Sequence, residues 1–438
     1  MRRRLLPLGL AVLFINPSFA QAVEAVRGNS FDTGNVTATR TTEPAGTLTL
    51  KAALELALGA NPELSAAGRE LEALEATIIQ ARVRPNPEIS TLVEDTRRAT
   101  RTTTLQLNQP IELGGKRAAR IEAAERGRDA VSLELEAKRA ETRAAVTAAF
   151  FDVLVAQERR RLAHASVELA QRATAAASRR VTAGKVSPVE ETKARVAEAG
   201  VRVELTLAAS ELATARKRLA ATWGNPSPRF ERAEGDPEAL PPLPVQADLD
   251  ARLVTSPAMI RARIEVDRRQ ALAEIERSRR IPNVTVSLGA KRNEELGRDQ
   301  AVLGVSIPIP VFDRNQGNLL EALRRIDKAR DELAAAEIRL SNELAAAFER
   351  LNAARQEVEA LRRDILPGAQ SAFDAATKGF ELGKFGFLDV LDAQRTLFQA
   401  KSQYLRALAE AHRSAAEIER VLGETSTKSN IAPAATQP

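Results

Sequence analysis

From Lys116 to Thr182 the chain has no proline and a single glycine, Gly127. Proline breaks helix interiors and glycine weakens them, so nothing in this stretch stops a helix once it has started. At 1.5 Å per residue such a helix runs about 100 Å. A helix of that length cannot be wrapped round one small core. Other long helices must lie along it. The composition fits that demand: 28% of residues are charged and 3% are aromatic, with Ala, Glu, Arg and Leu prominent. Ala and Leu favour helices, and small side chains let helix axes approach.

A second long helix is expected after Gly317. Leu319, Leu323, Ile326, Ala329, Leu333, Ala336, Leu340, Leu344, Ala347, Leu351, Ala354, Val358, Leu361 and Ile365 follow one another in steps of three and four. That is the seam of a coiled coil. Pro367–Gly368 then predicts a break or kink.

The two long helices belong to a tandem repeat. Asn61–Pro62 matches Ser256–Pro257 and Pro87 matches Pro282, both at an offset of 195. Pro110–Ile111 matches Pro308–Ile309 at 198; Gly184–Lys185 matches Gly383–Lys384, and Trp223–Gly224 matches Leu422–Gly423, at 199. One slowly drifting offset marks internal duplication. Repeat one is expected over 47–224, with a helix from about Thr49 to Arg82, a hairpin over 86–111, the long helix, a turn at 183–188 and a last helix. Repeat two is expected over 245–423, with a helix from about Ala247 to Arg280, a hairpin over 283–311 and a turn at 383–387. Between them, 225–244 is a proline-rich linker. Residues 21–46 are polar and Thr-rich and are expected to be unstructured, as is 424–438.

Each hairpin shows period-two alternation. Val284, Val286, Leu288 and Ala290 alternate with Thr285, Ser287, Gly289 and Lys291. Leu303, Val305, Ile307 and Ile309 do the same, and Leu105 and Leu107 alternate with Gln106 and Asn108, opposite a strand near Glu88–Asp95. Strands of about 9–11 residues are long enough to cross a bilayer when tilted. An open sheet edge is not tolerated in lipid, and closed bacterial barrels have at least about eight strands. Four strands therefore demand oligomerisation: two copies give eight, three give twelve.

The N-terminus supplies an address. Arg2–Arg4, an apolar run from Leu5 to Ile15 and small residues at Ser18 and Ala20 read as a signal peptide over 1–20, cut after Ala20. No stretch is apolar enough for a membrane-spanning helix. With no Cys, disulfides, thiolate metal sites and a lipid-modified N-terminal Cys are excluded. Only two His are present, His164 and His412, too few for an imidazole ligand cluster, so no metal-binding and no cofactor-binding residue is assigned. The net charge of +6 raises nucleic acid as a partner, but acids and bases alternate along every helix. That is a solvated face, and no nucleic acid is expected. No nucleophile–base pair or phosphate loop is present, so no catalytic residue is assigned and no enzyme activity is expected.

Three runs carry a family resemblance. The first is Gly383–Lys384 followed by Asp389–Val390–Leu391–Asp392–Ala393–Gln394. The second is Gln109–Pro110–Ile111–Glu112–Leu113–Gly114–Gly115–Lys116–Arg117, and the third is Pro308 to Gly317. With the repeat plan they resemble the TolC-like outer-membrane efflux family over roughly Leu48 to Gly423. The last two runs resemble its heavy-metal branch, which handles cobalt, zinc and cadmium. The resemblance implies a mainly α protomer with a membrane β-barrel, a homotrimer with twelve strands in outer-membrane lipid, and a helical tunnel through the periplasm. It also implies a periplasmic membrane-fusion adaptor and an inner-membrane proton-driven pump of the resistance-nodulation-division (RND) class. Some heavy-metal relatives carry an N-terminal lipid on Cys, and this chain departs from them.

The candidate sites sit at the turns between long helices. Gly184, Lys185, Val186 and Ser187, with Gly383, Lys384, Phe385 and Gly386, supply helix ends and starts. The resemblance makes them the adaptor-docking tip. Asp389 and Asp392 lie three apart on one helix face, where acids also favour a helix start. The resemblance places that run at the periplasmic aperture. Repeat one has Glu190 and Lys193 at the matching positions. Two other readings stay open: the same trunk exporting organic compounds or polypeptides, and a periplasmic coiled-coil adaptor that forms no channel.

Overall fold

The structure, a computed structural model, describes residues 43–236, 238–382 and 384–423. The expected signal peptide, most of 21–46, Gly383 and the tail from 424 onward lie outside the described residues.

The first repeat opens with strand β1 (Thr47–Thr49), helix α1 (Leu50–Ala60) and helix α2 (Pro62–Arg82). The expected single helix from Thr49 to Arg82 is thus two. Pro62 has no N–H and closes off the preceding helix, while the Asn61 side chain accepts from the N–H groups of Glu63 (2.7 Å) and Leu64 (3.1 Å). Repeat two does the same: α5 (Gln246–Val254) and α6 (Pro257–Arg279) part at Ser256, whose hydroxyl accepts from Met259 N–H at 3.3 Å. The Asx/Ser–Pro landmarks that align the repeats are therefore helix starts.

Strands β2 (Glu88–Glu94), β3 (Thr102–Ile111), β5 (Val284–Asn293) and β6 (Arg298–Ser306) follow their helices, and β4 (Arg232–Glu234) pairs in parallel with β1. The two hairpins form one antiparallel sheet in the order β2-β3-β5-β6. Its centre is the β3–β5 pair, with Leu107 opposite Leu288 and Asn108 opposite Ser287. Alternation sorts the side chains by face. Ile89, Leu105, Leu107, Val286, Leu288, Leu303 and Val305 share one face and are exposed. On the other, Ser287 Oγ donates to Asn108 Oδ1 (2.6 Å) and Asn108 Nδ2 donates to Ser90 Oγ (2.9 Å). Gly289 is required there, because a Cβ would lie 2.3 Å from the Leu105 carbonyl oxygen. Ile307 and Ile309 fall past the end of β6, a correction to the expected strand. Pro308 and Pro310 cannot donate to a ladder and end the pairing.

The long helices are α3 (Lys116–Thr182), α4 (Pro188–Ala221), α7 (Gln316–Ala360), α8 (Leu366–Glu381) and α9 (Phe387–Leu422). The α7 seam buries Ile326, Ala329, Leu340, Leu344, Ala347, Leu351, Ala354 and Val358. At Pro367–Gly368, where a break or kink is expected, the helix does not end: it widens into a π turn over Leu361–Ile365 and continues as α8. Pro367 has no N–H for the carbonyl four residues back, and one widened turn absorbs the mismatch. The turn rotates the seam, so Leu361 stays buried and Ile365 is exposed.

Two equivalent cores lie where the repeats begin and end. Leu48, Leu56, Val146, Phe150, Val153, Leu219, Trp223 and Phe230 form one. Leu249, Leu344, Leu351, Ile418, Val421 and Leu422 form the other. Glu43 ties the first together. Burial opposes its charge, but the N–H groups of Arg229 and Phe230 and the side chains of Asn225 and Trp223 outweigh it and hold the carboxyl below its ordinary range.

Candidate docking tip and aperture

Both repeats end their long helix in the same closed form. In repeat one, Lys185 N–H donates to Arg180 O (2.9 Å) and Gly184 N–H to Val181 O (2.9 Å). In repeat two, Lys384 N–H donates to Gly379 O (2.8 Å), the same bond 199 residues on. This is a Schellman closure, which needs a left-handed residue after the helix. Gly184 supplies it at φ 70°. The matching Gly383 lies outside the described residues.

The next helix starts differently in each repeat. Ser187 Oγ accepts from Val189 N–H at 3.4 Å, with Pro188 in the first turn of α4. At the matching place Gly386 has no side chain, and Asp389 reaches back: its carboxylate accepts from Gly386 N–H at 2.8 Å. Asp389 is thereby a structural cap as well as an acid. Asp392, one turn on, is exposed. In repeat one the same two positions neutralise each other, with Lys193 3.3 Å from Glu190.

Phe385 is held on Gly379. A Cβ at Gly379 would lie 2.1 Å from the Phe385 ring, and both Lys384 and Phe385 donate their N–H to Gly379 O. Lys185, Ser187 and Lys384 are exposed and Val186 is half-buried.

Sequence reasoning missed what joins the two turns. Arg180 Nη2 donates to Phe380 O at 2.9 Å, and its guanidinium lies 4.1 Å from the centre of the Phe380 ring. Below this link Ala177 and Ala194 pack with Phe380 and Leu391. Gln394 Nε2 donates to Ser166 O at 3.4 Å, tying α9 to α3. The repeat itself carried a signal. At an offset of 199, Arg180 faces Gly379, so one repeat has a long cation where the other has no side chain. Among the described residues no group of three or more His, Cys, Asp or Glu side chains could hold a metal ion.

A family profile described as "Outer membrane efflux protein" matches residues 53–225 and 249–424. The chain is 53% identical over 424 residues to the cobalt-zinc-cadmium resistance protein CzcC of Cupriavidus metallidurans, covering 97% of this chain and 100% of that protein. It is 27% identical to the nickel-cobalt-cadmium resistance protein NccC of Alcaligenes xylosoxydans xylosoxydans, over 72% of this chain and 68% of that protein. Its fold is similar to the solved structures of CusC (TM-score 0.73, 19% identity, 85% of this chain and 92% of that one) and of VceC from Vibrio cholerae (TM-score 0.72, 20% identity, 85% and 96%). The mainly helical repeat with its small antiparallel sheet is the architecture of outer-membrane efflux channels, and the chain belongs to the outer membrane efflux protein family.

Proposed function

We propose that this chain is the outer-membrane trunk of a tripartite RND-type system, giving divalent cobalt, zinc and cadmium ions a path across periplasm and outer membrane. The observation that carries the channel is the open four-stranded sheet, apolar on one face and polar on the other. Among the described residues, its edge strands β2 and β6 each pair on one side only. In lipid such edges must close, and β6 of one copy can pair antiparallel with β2 of the next. Three copies make the twelve-stranded barrel, with Leu107, Leu288 and Leu303 toward lipid and Asn108 and Ser287 toward water. The division into signal peptide, two repeats and linker belongs to this reading.

The cargo rests on the 53% identity to CzcC. Deleting the gene should sensitise cells to cobalt, zinc and cadmium, and restoring it should reverse the effect. Unchanged tolerance to all three, with a new sensitivity to organic compounds, would favour the same trunk with another cargo.

The turns around Gly184 and Gly383 are the surface for a periplasmic adaptor, and the Asp392 carboxylates line the aperture between the α9 starts. Three acids round one axis attract cations. Asp392→Asn should weaken block of the reconstituted pore by divalent cations at low ionic strength and leave the helix start intact. Asp389→Ala should also loosen the turn, because it removes the carboxylate that accepts from Gly386 N–H. Equal block in Asp392→Asn and parent would move the aperture elsewhere.

A further inference from the structure

Helices α4 and α9 both lie along α3 but hardly touch each other. Near the candidate tip this leaves a cleft of about 590 Å³ between them. Small residues keep it open. Ala163, Ser166 and Ala170 of α3 line it and are buried. Ala197 and Gly200 line it from α4, and a Cβ at Gly200 would meet nothing within 4 Å. Val201 of α4, and Leu391 and Phe398 of α9, add larger apolar surface and are half-buried. Apolar walls with a few polar groups and room between them suit the body of a small organic molecule. The cleft adjoins the tip, because Leu391 also packs in the core of Ala177, Ala194 and Phe380.

The charge of the lining is one-sided. Arg395 and Arg406 of α9 line the cleft and are exposed. The ion pairs of α9 are made further along, by Arg413 and Arg420. Among the described residues neither Arg395 nor Arg406 forms an ion pair, and Arg406 Nη2 donates to Ser402 Oγ at 3.2 Å. Arg159, the other cation of the lining, is taken up by Glu211 at 2.7 Å. Glu204 is the acid of the lining, so two unpaired cations stand against it. A cleft with low-dielectric walls and an excess of one sign draws the opposite charge. The duplicated plan does not require these cations: at an offset of 199 their places are held by Val196 and Leu207. Along α9 the two arginines are three turns and about 16 Å apart on one face, with Phe398 and Ser402 between them.

We propose that this cleft binds amphipathic organic anions. The apolar body lies between Phe398 and the small residues of α3 and α4, and a carboxylate or sulfonate group meets Arg395 or Arg406. A ligand seated there touches α3, α4 and α9 at once. It favours the conformation in which the cleft exists, and so holds the adjoining turns joined. The hold on the tip rests on the channel function proposed above; the binding does not.

The probe is naphthalene-2-sulfonate, titrated by calorimetry into the detergent-solubilised protein with detergent alone as the blank. One saturable site per chain is expected. 2-Naphthol, the same ring system without the sulfonate, should bind far more weakly. Arg395→Gln/Arg406→Gln should weaken the sulfonate about fivefold, the factor expected from one exposed ion pair. Both side chains are exposed, so the fold is kept, and Arg395→Lys/Arg406→Lys should restore binding. Phe398→Ala should weaken the sulfonate about tenfold through the lost ring contact. In reconstituted pores the sulfonate should reduce the time spent in high-conductance states, and should do so less in the Arg→Gln double variant. Equal affinity of parent and Arg→Gln double variant, or of sulfonate and naphthol, would overturn the site. Saturable binding with unchanged conductance would overturn its hold on the tip. If the parent forms no pore, the channel function fails while the titration still decides the site.

Discussion

Replacing Leu288 by Arg should abolish accumulation of the protein in the outer membrane, while replacing its neighbour Ser287 by Arg should not. The two residues are adjacent in β5 but point to opposite faces. Leu288 is at the middle of the strand, exposed, between Leu107 and Leu303 in register. If that face meets lipid, a midplane arginine costs about 2–4 kcal/mol per copy. Three copies share one barrel, so the penalty recurs three times in a single assembly. Ser287 lies on the polar face beside Asn108, where water or the lumen can hydrate a guanidinium. Heat-resistant oligomer in membrane fractions reads the outcome. Normal assembly of Leu288→Arg together with failure of Ser287→Arg would mean the faces are inverted.

The second large effect is expected at the tip. Arg180→Met keeps an unbranched apolar stem but removes the guanidinium, and with it the bond to Phe380 O and the cation over its ring. A hydrogen bond to a charged donor contributes about 1.5–3 kcal/mol. Losing about 2 kcal/mol changes the ratio of joined to parted turns roughly 30-fold. On the channel reading, reconstituted pores of Arg180→Met should therefore spend far more time in high-conductance states than the parent. Arg180→Lys should fall between the two, because an ammonium keeps the charge without the planar fork. Conductance of Arg180→Met equal to the parent would show that this link does not hold the tip.

Much of the helical plan was legible because it depends on local rules. The bounds of α3 follow from where proline and glycine are absent, and the buried face of α7 from its three–four spacing. The strands were legible from alternation at Leu105, Leu107, Val286 and Leu288. What escaped was either a local conflict or a distant contact. Summed propensity favours one helix from Thr49 to Arg82, yet a single Asn–Pro step divides it. Pro367 announced a break, but whether a helix kinks or inserts a π turn depends on packing, here of Leu361 against Tyr404 and Leu408. Ile307 and Ile309 fit the alternation, and the intervening prolines decided against a ladder. At the candidate tip the glycine turns were visible in the sequence. The capping role of Asp389 was not, because it arises from the missing side chain at Gly386. The Arg180–Phe380 link joins residues 200 apart, which no local pattern encodes.

The central claim is that four strands per chain close only by sharing a barrel. Its most direct test is the mass of the particle extracted from outer membranes in a mild detergent, after correction for bound detergent. Three copies per particle are expected, with no folded single copy in equilibrium with them. A stable, folded monomer carrying the same sheet would contradict the account, since its β2 and β6 edges would then be open in the membrane.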